Sequence, residues 1–122
     1  MEDISGTERA ESIEALQSAI RKSQKALAQI AEKGASTTLV EKRLKALQVG
    51  LAVLEAVWNQ KPHPHSREDL TEARTVLAGL LPSIERIYAR SKAGSPQKTL
   101  LERRRRALEL AVYAIDRLSL AE

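Results

Sequence analysis

The stretch "VEKRLKALQVGLAVLEAVW", Val40 to Trp58, decides the fold. A stripe of large apolar residues runs through it at Val40, Leu44, Leu47, Leu51, Leu54 and Trp58, in steps of four and three. That alternation is the stripe of an α-helix packed along one side. Moving 61 positions along gives Leu101, Arg105, Leu108, Val112, Ile115 and Ser119, the same spacing with two polar members. The segment recurs, and so does a stripe upstream of it. Ile13, Leu16, Ile20, Ser23, Leu27 and Ile30 are matched 57 positions later by Leu70, Ala73, Leu77, Leu80, Ile84 and Ile87.

The punctuation recurs too. "EKGAS" at 32–36 and "SKAGS" at 91–95 break the pattern inside each copy, and "TLVE" (Thr38 to Glu41) and "TLLE" (Thr99 to Glu102) have the form of capping boxes. Ser95 with Pro96 offers a rival start for the last helix, one turn earlier, because proline suits the first helical position. Between the copies, "NQKPHPHS" is a proline-rich break that ends on Ser66, a good N-cap followed by Glu68 and Asp69. Helices are expected near 7–33, 37–60, 66–92 and 96–120. Gly79 and Pro82 should bend the third, since proline removes an amide and crowds the preceding turn.

Short connections favour antiparallel neighbours. The expected fold is therefore all-α: an antiparallel up-down-up-down four-helix bundle built from two repeated helical hairpins, 7–60 and 66–120, joined by a linker at 59–66 within one domain, 1–122. Composition agrees: 122 residues, 43% of them hydrophobic, dominated by leucine and alanine with one Trp, two Tyr and no Phe. Such a chain can form one core.

Several chemistries are excluded or left without a basis. There is no cysteine, which removes disulfides, thiolate catalysis and sulfur-ligated zinc. The opening "MEDISGTERAES" lacks the basic start and apolar run of a secretory signal, and no run of about 18 apolar residues occurs, so a cytoplasmic protein without a membrane span is expected. His63 and His65, with Asp69, would bind a metal weakly at best. The carboxylates include no Glu-x-x-His pair of the kind that holds metals in helical bundles. No nucleophile, base and orienting group are grouped in the sequence, so no enzyme activity, cofactor or small-molecule substrate is expected.

Charge is the remaining signal. The chain has 20 Lys and Arg against 16 Asp and Glu, and the net +4 lies in the second half. In an end-to-end bundle, residues 1–17, 52–74 and 112–122 form one pole with five basic and 11 acidic groups, and the other pole holds 15 basic and five acidic. The sequence therefore predicts a basic pole carrying Lys42, Arg43, Lys98, Arg103, Arg104, Arg105 and Arg106, facing an acidic protein partner or, alternatively, nucleic-acid backbone. Scarce aromatics argue against stacking on bases. A charge run is ordinarily a solvated face, but Arg105 falls on the stripe where the first copy has Leu44. It needs Glu85, Glu32 or an external anion.

A second surface looks unfinished. From Ala46 to Trp58 only Gln48 and Glu55 are polar. Either small residues allow tight internal packing, or Val49, Val53, Val57, Leu110 and Leu118 extend to a second copy in a homodimer.

Overall fold

The computed structural model describes residues 4–121. It contains four helices, α1 (Gly6–Glu32), α2 (Thr38–Asn59), α3 (Arg67–Arg90) and α4 (Pro96–Ala121), and no strand among the described residues. They form an all-α four-helix bundle. Residue 9 near the start of α1 lies against Trp58 near the end of α2, and Arg74 of α3 against Asp116 of α4. The two helices of each hairpin thus run antiparallel.

The helix starts have local causes. Ser5 accepts a hydrogen bond from the Glu8 amide, and Ser66 forms a reciprocal capping box with Asp69. The two threonine boxes are not formed. Thr37 is the N-cap of α2 and makes no side-chain cap bond. In α4 the Lys98 amide donates to Ser95 Oγ at 3.1 Å, so Ser95 and Pro96 start the helix and Thr99 lies one turn inside it. Proline's preset φ favours the earlier start. Gly34 and Gly94, at φ of 74° and 77°, turn the chain after α1 and α3, where a side chain would be strained. α3 continues through Pro82 as one helix.

The core explains the breadth of the apolar faces. α2 and α4 pack on each other and on both remaining helices, whereas α1 and α3 make no close contact. The inner pair is therefore surrounded on three sides. Ala46, Leu47, Val49, Gly50, Val53 and Leu54 are buried on α2, and the residues 61 positions later on α4, from Ala107 to Ile115, are buried too. At Gly50 there is no room for a side chain without a shift of its neighbours. A Cβ there would sit 3.1 Å from Leu77 Cδ1 and 3.3 Å from the Ala111 Cβ.

This packing corrects the dimer surface. Val49, Val53 and Leu110 are buried in the chain's own core and are not available to a second copy. Leu118 packs partly against the same core, and Val57 alone of the five is exposed. The polar line has narrowed because these helices have three neighbours, not because a fourth is missing. Gln48 and Glu55, the two polar residues of the stretch, are exposed.

One offset serves both halves better than two. At 61 positions the caps Ser5 and Ser66 coincide, and Ser12 and Leu16 fall on Ala73 and Leu77 at closely matching burial. The offset of 57 aligns the stripes of α1 and α3 but misses their caps.

Candidate interaction surface

The two-pole charge separation is not what the bundle presents. Arg106 Nε lies 2.6 Å from Glu8 Oε1, Arg103 pairs with Glu11 at 2.9 Å, and Lys45 with Asp69 at 3.0 Å. In an end-to-end bundle each of these cations would lie at one pole and its acid at the other. In an end-to-end bundle the first turns of α1 would meet the last turns of α4, near Asp116. Arg106 is ten residues earlier, about 15 Å along a helix. Lys45 meets Asp69 and Gly50 meets Leu77, both in the same chain order along α2 and α3, so the hairpins do not lie end to end in one antiparallel register, and the acidic starts of α1 and α3 lie beside the basic halves of α4 and α2. Glu2, Asp3 and Glu122, also counted at the acidic pole, lie outside the described residues.

The arginine run divides by helical angle. Arg103 and Arg106 turn to α1 and are neutralised there. Arg105 turns to α3, where its guanidinium lies 5.2 Å from the centre of the Tyr88 ring and its Nε is 3.7 Å from Glu109 one turn on. Neither Glu85 nor Glu32 is its ion partner; Glu109 and an aromatic face take that place. The Arg105 Nε is nonetheless buried without a hydrogen-bond partner, because 3.7 Å exceeds hydrogen-bonding distance. Lys98 shares the ring, with its Nζ 4.6 Å from the Tyr88 centroid. The aromatic contact was not legible in the sequence, where Tyr88 lies off the stripe.

Arg104 is the member without an ion pair among the described residues. Its Nε is buried and unpartnered, and loss of hydration on burial disfavours its protonated form relative to an ordinary arginine. Lys42 and Arg43 are exposed and likewise make no ion pair among the described residues. Lys42 borders a groove of about 540 Å³ between α2 and the start of α3. A comparable groove of about 510 Å³ between the starts of α1 and α4 is lined by Arg103, Arg105, Arg106 and three glutamates. Its charges balance.

The surface also exposes apolar side chains that sequence periodicity passed over. Leu39 is 60% exposed and Leu100 is 59% exposed. They are 61 positions apart, at the starts of α2 and α4. Cations follow each at the third and fourth residue: Lys42 and Arg43 after Leu39, Arg103 and Arg104 after Leu100. That spacing places each leucine and its two cations on neighbouring positions of one helix face.

Elsewhere the charged groups are committed locally. Arg74 binds Asp116 through two contacts at 2.9 and 3.4 Å, which hold its guanidinium protonated more strongly than usual. Asp69 is held below its usual carboxylate range by Lys45 first and then by the Ser66 amide. His65 Nδ1 also lies 3.8 Å from Asp69 Oδ2. Among the described residues no group of three His, Asp or Glu is placed to hold a metal ion, and no helix is long and apolar enough to cross a membrane. No protein-family model matches the chain, and neither a curated protein nor a solved structure matches it.

Proposed function

We propose that this chain is a non-catalytic helical interaction module that binds an acidic, amphipathic protein segment at the exposed starts of α2 and α4. The exposure of Leu39 and Leu100 carries this reading. A leucine left in water beside two cations suits a partner that offers both apolar and acidic side chains. Phosphate backbone would use the cations but gains nothing from the leucines. Lys42, Arg43 and Arg104 are the principal charges at these faces, because Arg103 is already paired with Glu11. No second copy is needed to cover α2 and α4, since three of the five residues expected at a dimer interface lie in the core.

The test compares two probes by fluorescence anisotropy: a labelled helical peptide alternating leucine and glutamate faces, and a labelled DNA duplex. Peptide binding weakened both by Leu39→Ser with Leu100→Ser and by Arg43→Glu with Arg104→Glu is the expected result. Duplex binding that falls steeply with salt and ignores the leucine changes would replace this reading with the nucleic-acid one.

A further inference from the structure

We infer that a phosphoryl dianion binds in the small cavity between α1 and α4 lined by Ser18, Arg21, Lys22 and Arg104. This deepens the proposed function by naming the group a partner would insert beside Leu100, and it rests on that reading only for the partner.

The cavity measures about 110 Å³ and is bordered by Leu100 at its α4 edge. It has room for a few waters or for one tetrahedral oxyanion. Its charge selects among anions. Arg21, Lys22, Arg103 and Arg104 line it against two carboxylates, Glu11 and Glu14. Glu11 is taken by Arg103 at 2.9 Å. Three cations then face the single carboxylate of Glu14. The surplus of two positive charges matches a phosphate monoester rather than a carboxylate or chloride.

Arg104 supplies the orienting donor. Its Nε is closed off from solvent and has no hydrogen-bond partner, so an anion in the cavity meets the terminal nitrogens of the guanidinium, and the neighbouring Nε–Hε group reports that contact. A guanidinium fork also fits two oxygens of a phosphoryl group, which an ammonium cannot do. Arg21 and Lys22 are exposed at the rim, where they can draw in the anion, and Ser18 is half-buried below them with a hydroxyl donor.

Packing does not require these donors. Adding 61 to Ser18, Arg21 and Lys22 gives Gly79, Pro82 and Ser83, while Leu100 and Arg104 correspond to Leu39 and Arg43. The equivalent α2–α3 contact therefore keeps the leucine and the arginine on the inner helix and has no cation at the matching positions of the outer one. Its Arg43 is exposed, whereas Arg104 is partly buried. Only the α1–α4 side is built for a dianion.

The experiment follows the Arg104 Nε–Hε signal by NMR on the full chain during titration with inorganic phosphate and, separately, O-phosphoserine, against sodium chloride of matched ionic strength. A saturable shift with phosphate that chloride does not reproduce is expected. Arg21→Gln with Lys22→Gln should weaken it by about tenfold or more, and Glu14→Gln should tighten it. Thermal unfolding gives a second readout, with phosphate raising the midpoint of the native chain and not of the double variant. Binding of both ligands supports a phosphorylated side chain as the source, and binding of inorganic phosphate alone supports free phosphate. A shift equal to that in chloride, or one unchanged in the double variant, overturns the site. The acidic peptide probe is unphosphorylated and does not depend on Arg21 or Lys22, so its binding distinguishes loss of this site from loss of the proposed function.

Discussion

Arg106 and Glu8 form an ion pair at 2.6 Å whose counterpart, 61 positions displaced, is the pair of Lys45 and Asp69 at 3.0 Å. Glu8 shifts to Asp69 and Lys45 shifts to Arg106. The contact between α1 and α4 is thus repeated between α3 and α2, and together the two pairs bridge the hairpins on both sides of the inner helices. Both are solvent-accessible, so their role is to favour one arrangement of the hairpins more than to stabilise the fold. Arg106→Glu is expected to destabilise the chain by under about 1 kcal/mol in urea unfolding, and Glu8→Arg with Arg106→Glu to recover most of it. The recovery should shrink in high salt. Equal effects with and without salt would show that the pair is not electrostatic.

Asp69 makes stability depend on pH in a definite direction. Its folded-state carboxyl titrates below the reference value of 3.8 because Lys45 and the Ser66 amide favour the charged form. The unfolded chain therefore binds the proton more readily. The stabilisation is fully present above the unfolded value and is lost as pH falls through the lower folded value. Asp69→Asn should flatten the acid limb of stability against pH in that window. A limb identical to that of the native chain would show that other carboxylates dominate.

Gly50 faces both α3 and α4 with no room for a side chain. Adding a methyl group would press on Leu77 at 3.1 Å and Ala111 at 3.3 Å, and Leu77 is fully buried. Gly50→Val is expected to cost about 2 kcal/mol or more, as an overpacked core does. Gly50→Ala combined with Leu77→Ala should cost less than the two singles added, because the cavity left at Leu77 receives the new methyl group. Strict additivity of the pair would contradict the contact.

Arg105 is a structural cation and not part of the proposed partner surface. Its Nε lacks a hydrogen bond, and its place in the stripe is held by Leu44 in the first half. Arg105→Leu should leave peptide binding unchanged and raise stability by about 1 kcal/mol, since an imperfectly paired, partly buried charge is replaced by apolar surface. A loss of stability would show that the Tyr88 and Glu109 contacts outweigh that cost.

Self-association has a direct measurement. With Val49, Val53 and Leu110 internal, light scattering at micromolar concentration is expected to report a monomer. A concentration-dependent dimer would point to the exposed Leu39, Val57, Ile87, Leu100 or Tyr113 as its interface, since the inner faces of α2 and α4 are already covered.

Sequence periodicity by itself determined four helices, their bounds to within a residue or two, most of the stripe residues that enter the core, with Ile87 an exposed exception, and the polar line of Gln48 and Glu55. These are local properties: each follows from spacing at 3.6 residues per turn and from capping chemistry. Tertiary structure decided which helices are inner, how the hairpins pack on each other, and therefore which charges are spent. An apolar face looks the same in one dimension whether a second copy or two more helices of the same chain cover it; only the neighbours of α2 show that the chain covers its own. The four arginines were adjacent in sequence, but about 100° of helix between each sends them to different partners, Arg103 and Arg106 to α1, Arg105 to Tyr88 and Arg104 to the cavity beside Ser18.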